Sequence, residues 1–157
     1  MPGRLLVHGV ECCYGSKVIL EHVHLNAEPG EMVGILGPNG AGKSTFLKLI
    51  TGQIKPNIGF IRIKGKKVWN KYSLFSEIGF CPEQDSFYEE LTGWQFLSSL
   101  LRLYHFSKSE VETRARQALE LVELEKDQDR IIKSYSRGMR QRLKFAQVIA
   151  HDPEILI

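Results

Sequence analysis

A glycine-rich stretch reads Gly37-Pro38-Asn39-Gly40-Ala41-Gly42-Lys43-Ser44-Thr45. It fits the pattern G-x-x-x-x-G-K-[ST], a loop whose backbone N–H groups surround phosphate oxygens. In such a loop the lysine, here Lys43, reaches the β- and γ-phosphates, and the hydroxyl of Ser44 holds Mg²⁺. The pattern therefore predicts a phosphate-binding loop at residues 37–45.

The sequence on either side has the form that this loop requires. Residues 32–36 are an apolar run that predicts a short strand, and the apolar residues from Phe46 to Ile50 recur at helical spacing until Gly52 offers a C-cap. A helix that follows the loop directs its positive N-terminal end at the phosphates. We therefore predict that this chain binds a nucleoside triphosphate.

Composition is that of an ordinary globular domain. The 157 residues are 43% apolar and 25% charged, with a net charge of +3. Four lysines between residues 64 and 71 form a basic cluster, which is more often a solvated hairpin than a nucleic-acid surface, so we expect no nucleic-acid partner. Three cysteines without metal spacing favour a reducing compartment, and no apolar run is long enough to span a membrane.

Strand patterns surround the phosphate-binding loop. Residues 4–10 and 18–27 predict two strands joined by a turn at residues 14–17, and residues 60–69 predict a hairpin that turns at Gly65. We therefore expect antiparallel strands on both sides of the strand at residues 32–36. Ordinary parallel α/β phosphate-loop proteins lack this arrangement.

The second half of the chain is mainly helical in pattern. After a short apolar run at residues 78–82, two apolar stripes predict helices that pack into a core, and the second opens with a capping box from Ser107 to Glu110. A last helix is predicted from about Gly138 to Ala150, followed by a buried strand at residues 154–157.

Taken together, the chain resembles the nucleotide-binding domain of an ABC (ATP-binding cassette) ATPase, from the first strand to just short of the second Walker motif. The resemblance implies an α/β fold of the phosphate-loop NTPase class, with a mixed core sheet, an N-terminal antiparallel β subdomain and a helical subdomain. It implies ATP and Mg²⁺ as cofactors. Tyr14 lies where the family has an aromatic residue that stacks on adenine.

A second landmark is Pro82-Glu83-Gln84-Asp85, which lies where the family has its glutamine loop. Residue type favours Gln84, whereas counting back from Leu91-Thr92 favours Glu83. The resemblance implies that one of these two side chains offers an oxygen to Mg²⁺ or to the attacking water. We therefore treat Glu83 and Gln84 as candidate catalytic residues, with Ser44 and Gln84 as candidate metal ligands.

The third landmark is the segment at residues 134–142, which resembles the family signature L-S-G-G-Q-x-Q-R. Ser136 and Gly138 match it, whereas Tyr135, Arg137 and Met139 replace the Leu, the first Gly and the Gln. The resemblance implies that Ser136 and Gly138 face the γ-phosphate of ATP held by a second nucleotide-binding domain, in a head-to-tail dimer. This version of the signature is similar to that of the export-type branch.

The resemblance divides residues 1–157 into three parts of a partial domain. Residues 1–91 form the core and the antiparallel β part with the phosphate-binding loop, and residues 92–137 form the helical subdomain. Residues 138–157 form the signature helix and the start of the Walker B strand. The family's catalytic carboxylates would follow Ile157, so we expect residues 1–157 to bind ATP without hydrolysing it.

The leading functional hypothesis is the ATP-binding subunit of an ABC transporter, which couples ATP binding and hydrolysis to transport by a separate integral membrane permease. It would be cytoplasmic and peripheral on the inner face of the cell membrane. One alternative is a soluble ABC ATPase of translation or DNA repair, although the compact region between residues 92 and 133 lacks the long insertions of the repair branch. The other alternative is a nucleotide binder that does not hydrolyse ATP.

Overall fold

The computed structural model describes residues 5–157 and contains two compact units, which divide after Phe75. The first unit carries the antiparallel strands and the phosphate-binding loop, together with Ile157. The second unit comprises residues 76–156 and contains three longer helices with a short parallel sheet. The fold is therefore α/β with a separate antiparallel β part, as predicted.

The first unit is built on a four-stranded antiparallel sheet. Its strands are β1 (Leu5–Tyr14), β2 (Lys17–Ala27), β3 (Ile58–Ile63) and β4 (Lys66–Lys67), in the spatial order β2-β1-β3-β4. The two predicted hairpins are thereby confirmed. Arg4, the first residue of the first predicted strand, lies outside the described residues.

An irregularity in β1 changes which of its residues face the core. In a regular strand, residues three apart face opposite sides of the sheet. Val7 and Val10 are nevertheless both buried, because the register with β2 shifts between them, around Gly9. Gly9 has a φ of 55°, and a Cβ atom on Gly59 of β3 would collide with the Gly9 carbonyl. The bulge therefore depends on glycine at both positions.

Helix α1 (Lys43–Ile50) follows the phosphate-binding loop, and its apolar face is formed by Phe46, Leu49 and Ile50, which are buried. The helix ends at Thr51, and Gly52 follows with a φ of 72° and donates its N–H to the Leu49 carbonyl. A left-handed glycine just beyond the helix is the C-terminal signal predicted from the sequence.

The predicted strand at residues 32–36 is wrong for this structure. Residues 31–38 carry no strand assignment, and Met32 and Leu36 are 99% and 95% exposed. A strand requires a neighbour that accepts and donates its backbone hydrogen bonds. Among residues 5–157 no strand pairs with this segment, so its apolar residues are not assembled into a sheet.

The second unit packs α2 (Gly93–Leu103), α3 (Lys108–Leu121) and α4 (Arg137–Ile149) around one apolar core. Short 3₁₀ turns at Glu125–Asp127 and Ile132–Ser134 connect α3 to α4. Most of the stripe residues predicted from the sequence are buried, and they include Leu97, Leu101, Val111, Ala115, Ala118, Leu119, Val122, Leu143, Ala146 and Ala150.

Two capping boxes set the starts of α2 and α3. The predicted box is present, with Ser107 and Glu110 satisfying each other's backbone N–H groups, and the Ser107 hydrogen bonds lower the pKa of Glu110. A second box joins Thr92 to Gln95 at the start of α2. Each box satisfies two N–H groups that have no partner within the helix.

The parallel sheet of the second unit pairs β5 (Ile78–Gly79) with β6 (Ile155–Leu156). The predicted strand at residues 78–82 is therefore shorter than expected. Leu156 is 56% exposed, so the expectation of a buried final strand was wrong. Among the described residues β6 has β5 as its single neighbour, and one neighbour does not cover both of its faces.

Candidate functional site

The phosphate-binding loop is held closed by its own lysine. The ammonium group of Lys43 donates to the carbonyl oxygens of Gly37 at 2.7 Å and Pro38 at 2.8 Å. An ammonium group has three N–H donors, so one donor is not used by these two bonds. Lys43 thus fixes the curvature of the loop while keeping a positively charged donor for a ligand inside it.

Glycine is required where the loop enters α1. Gly42 has a φ of 88°, and a Cβ atom on it would lie 2.8 Å from Cδ2 of Leu20 and 3.1 Å from the Ile19 carbonyl oxygen. A side chain here would be strained by the backbone conformation and would also collide with β2. The second glycine of the motif therefore fits the end of the loop against the sheet.

The start of α1 has the properties of an anion site. Its N-cap is Gly42, which supplies no side-chain hydrogen bond, and its first turn contains no acidic residue. The first N–H groups of a helix have no intrahelical partner, and the helix dipole makes this end positive. Ser44 is exposed and Thr45 is half-buried, so the Ser44 hydroxyl is accessible beside these N–H groups.

The remaining loop residues, Pro38, Asn39, Gly40 and Ala41, are exposed. Gly40 has a φ of 83°, and the Ala41 N–H donates to the Pro38 carbonyl at 3.3 Å. These residues therefore form an open turn whose backbone a ligand can approach. Together with Lys43 and the start of α1, this turn fits a polyphosphate.

Tyr14 lies in the same unit as the loop, at the tip of the β1–β2 hairpin, where it pairs with Lys17 and is 53% exposed. Leu20 of β2, whose Cδ2 lies beside Gly42, pairs with Cys12 of β1. Cys12 is two residues before Tyr14. An antiparallel strand rises about 3.4 Å per residue, so Cys12 and Tyr14 are roughly 7 Å apart along β1. Tyr14 is therefore an exposed aromatic residue near in the sheet to the strand pair that packs against Gly42.

The signature segment lies in the second unit and begins α4. Ser136 is the N-cap of this helix, and its Oγ accepts a hydrogen bond from the Met139 N–H at 3.2 Å. Ser136, Arg137 and Gly138 are exposed. A cap serine that accepts from the backbone still has its own O–H to donate, so this helix end also fits an anion.

Tyr135, which stands in place of the signature leucine, is turned into the core and is 5% exposed. Its hydroxyl donates to the Asp127 carbonyl at 2.7 Å, and burial raises its pKa. The tyrosine therefore serves the packing of the second unit, and the exposed part of the signature starts at Ser136.

Glu83 and Gln84 lie in an irregular segment after β5, and both are exposed. The backbone of this segment is held by Lys144 of α4, whose ammonium group donates to the carbonyl oxygens of Pro82 and Glu83, each at 3.2 Å. Lys144 also pairs with Asp85 at 2.7 Å. The second unit therefore brings the candidate glutamine loop and the signature helix into direct contact.

Sequence reasoning did not find Lys144 or Arg140. Both are basic residues on α4, and Arg140 pairs with Glu89 at 2.6 Å. Their only sequence signal is their spacing of four residues, which places them on one face of a helix. That spacing is also typical of solvated surface residues, so burial could not be read from it.

Comparison with known families identifies the family of this chain. The family described as ABC transporter matches residues 20–157, a region that contains the phosphate-binding loop and the signature segment. The chain belongs to the ABC transporter family. Among residues 5–157 no helix has both the length and the apolar character needed to cross a membrane.

Individual ABC relatives support the same assignment. The chain is 38% identical over 146 residues to the bacitracin transport ATP-binding protein BcrA of Enterococcus faecalis, covering 92% of this chain and 46% of that protein. It is 36% identical over 154 residues to the uncharacterized ABC transporter ATP-binding protein YdbJ of Bacillus subtilis (strain 168), covering 98% and 49%. This ABC chain therefore spans about half the length of these relatives.

Solved ABC structures share the fold. One structure, described as an ATP-binding subunit of an ABC transporter, superposes with a TM-score of 0.87 at 30% sequence identity. The match covers 98% of this chain and 64% of that one. The agreement extends over both units of the chain, so the fold class predicted from the sequence is confirmed.

Proposed function

We propose that this chain forms the ATP-binding part of an ABC transporter subunit, which couples ATP binding and hydrolysis to transport by a separate membrane permease. The observation that carries the proposal is the phosphate-binding loop closed by Lys43, with its ammonium 2.7 Å and 2.8 Å from the Gly37 and Pro38 carbonyls. The names of the matched relatives, which are ATP-binding proteins of ABC transporters, support the transport role.

ATP would be held by the first unit. We assign the polyphosphate to the backbone of residues 37–45 and to Lys43, and the adenine to the exposed face of Tyr14. The phosphate-loop residues are Gly37, Pro38, Asn39, Gly40, Ala41, Gly42, Lys43, Ser44 and Thr45. Mg²⁺ would be held by the Ser44 hydroxyl, and it would neutralise charge that develops on the phosphates.

The second unit would contribute to hydrolysis through two groups. The exposed side chains of Glu83 and Gln84 can each offer an oxygen to Mg²⁺ or to the attacking water. Ser136 and Gly138 would contact the γ-phosphate of ATP bound by a second domain, in a head-to-tail dimer. The free O–H of Ser136 and the positive end of α4 suit that contact.

The permease partner accounts for the membrane location that we propose, on the inner face of the cell membrane. One solved structure with the same fold is described as an ATP-binding subunit of an ABC transporter. A peripheral ATPase subunit needs no membrane-spanning helix of its own, because the permease supplies the transport path.

The test is purification of the full-length native protein from host membranes in mild detergent. We expect a protein with several membrane-spanning helices to co-purify, and we expect Mg-ATP hydrolysis by the complex. The Lys43→Ala variant should retain the partner and lose hydrolysis, because Lys43 acts on phosphate. Recovery without such a partner, or hydrolysis unaffected by Lys43→Ala, would contradict the proposal.

A further inference from the structure

The Lys144 ammonium group is buried at the contact between α4 and residues 82–85. The side chain is 4% exposed, and its three acceptors are the Pro82 and Glu83 carbonyl oxygens and the Asp85 carboxylate. An ammonium group has three N–H donors, so these contacts use its full hydrogen-bonding capacity. A buried charge is costly unless it is paired in this way.

All three acceptors come from four consecutive residues, and these residues include both glutamine-loop candidates. The ammonium binds the backbone of Pro82 and Glu83, whereas the Glu83 and Gln84 side chains remain exposed. Lys144 therefore fixes the main chain from which those side chains project, and it leaves the side chains free to act.

A second contact ties the same helix to the end of the segment. Arg140, one turn before Lys144, pairs with Glu89 at 2.6 Å. The backbone N–H groups of Ile132 and Lys133 donate to the Leu91 and Glu89 carbonyls, both at 2.9 Å, and these bonds also hold residues 89–91. Residues 82–91 are thus fixed at both ends within the second unit.

The helix that makes these contacts also carries Ser136 at its start. A helix is a rigid element with a rise of about 1.5 Å per residue, so the distance along α4 from Ser136 to Lys144 is constant. Replacing Lys144 alone would leave the Asp85 carboxylate and two carbonyl oxygens without their shared donor, so the 82–85 backbone would lose its attachment to α4.

We propose that Lys144 is a positioning residue for ATP hydrolysis, which holds the 82–85 backbone against α4 so that Glu83 or Gln84 reaches the metal or water. The inference rests on the function proposed above. Lys144 is not among the residues that we assign to ATP, so its loss should leave nucleotide affinity unchanged. It should lower the turnover number and raise the Mg²⁺ concentration that gives half-maximal turnover.

The test compares Lys144→Met with Arg114→Met in the full-length native protein. Arg114 of α3 is also a cation of the second unit, but its guanidinium lies 4.3 Å from the centroid of the Phe106 ring, and it serves as the matched control. For Lys144→Met we expect at least a tenfold lower kcat, a several-fold higher half-saturating Mg²⁺ concentration and ATP affinity within twofold of wild type. Arg114→Met should change none of these.

A second readout does not depend on activity. Cleavage of the Glu83–Gln84 bond by a glutamate-specific protease, followed by mass spectrometry without nucleotide, should be at least tenfold faster in Lys144→Met and unchanged in Arg114→Met. Where Lys144→Met does not fold, Asp85→Ala gives the same test, because Asp85 is 37% exposed and the two carbonyl contacts remain. Cleavage at Glu83 and turnover in Asp85→Ala should shift in the same directions, by smaller factors.

The outcomes separate this inference from the proposed function. Unchanged kcat, or a lower kcat with unchanged cleavage at Glu83, would overturn the role of Lys144 while ATP hydrolysis by the wild type stands. A wild-type protein that does not hydrolyse Mg-ATP would overturn the proposed function, and the role of Lys144 in hydrolysis with it.

Discussion

The phenol oxygen of Tyr135 lies 2.5 Å from the position that a Cβ atom on Gly93 would occupy. The residue before the signature serine therefore packs directly onto the first residue of α2. The same hydroxyl donates to the Asp127 carbonyl at 2.7 Å, so it has little freedom to move away. This contact explains why glycine stands at the start of α2.

The first prediction follows from that contact. Gly93→Ala should destabilise the protein by about 1–3 kcal/mol, as expected for an overpacked core. In a Tyr135→Phe background the same change should cost less than half as much, because the nearest remaining ring atom is 3.4 Å away. Urea denaturation of the wild type, Gly93→Ala, Tyr135→Phe and the double variant measures the coupling free energy between the two positions. Equal costs in both backgrounds would contradict the contact.

Buried His151 leads to a second prediction, about pH. Its ring is 7% exposed, it stacks on Tyr104 with centroids 4.5 Å apart, and burial, with the Arg114 charge, lowers its pKa. The Nε2 of His151 lies 3.2 Å from the Ile78 carbonyl oxygen, and this contact opposes the shift.

The sign follows from proton binding. In the unfolded chain histidine has a pKa of about 6.5, so below that pH the unfolded state binds a proton that the folded state excludes. Stability should therefore be complete above about pH 6.5 and should fall from there toward the lowered pKa. The urea midpoint should fall between pH 8 and pH 5, and this fall should be smaller in His151→Gln than in the wild type. The control His105→Asn, at an exposed residue, should show the same fall as the wild type. An equal fall of the urea midpoint in His151→Gln and the wild type would contradict the prediction.

The third prediction concerns Lys43. Its ammonium group makes charge-assisted hydrogen bonds, which are worth roughly 1.5–3 kcal/mol each. Lys43→Ala should weaken Mg-ATP binding by more than about tenfold in an equilibrium titration, without unfolding the protein. Lys48→Ala, in the last turn of the same helix, is the matched control and should bind normally. Similar affinities for the two variants would exclude residues 37–45 as the nucleotide site.

Tyr14 supports a prediction about base selectivity. Stacking uses a ring face that every purine offers, so GTP should bind within about tenfold of ATP. Tyr14→Ala should weaken both nucleotides by roughly 1–3 kcal/mol, whereas Tyr14→Phe, which keeps the ring, should not. Competition titrations give the ATP and GTP affinities of the wild type, Tyr14→Ala and Tyr14→Phe. Strong discrimination between ATP and GTP would show a contact to the base edge.

Ser136 should matter across an interface and not in the chain's own site. Ser136→Arg in the full-length native protein should abolish hydrolysis and leave monomer affinity for ATP near that of the wild type. Ser134→Arg places the same charge just outside the helix start, where Ser134 donates to the Ile131 carbonyl at 2.8 Å, and should be far less harmful. If Ser136→Arg weakens ATP binding as much as Lys43→Ala does, the signature lies in the chain's own site.

Local patterns in the sequence were enough for most of the fold. The two hairpins, the start of α3 at Ser107 and the end of α1 at Gly52 were predictable, because turns and caps depend on residues within a few positions of each other. The strand predicted at residues 32–36 was not found, since a strand is completed only by a neighbour that is distant in sequence.

For the candidate sites, the sequence alone was enough to predict the phosphate-binding loop and the signature segment, because each is a contiguous motif whose chemistry depends on neighbouring backbone groups. Only the tertiary structure decided that Tyr135 points inward and that Lys144 is buried against residues 82–85. The physical reason is that burial and charge pairing depend on which segments pack together. Lys144 and Asp85 are far apart along the chain, and no local pattern links them.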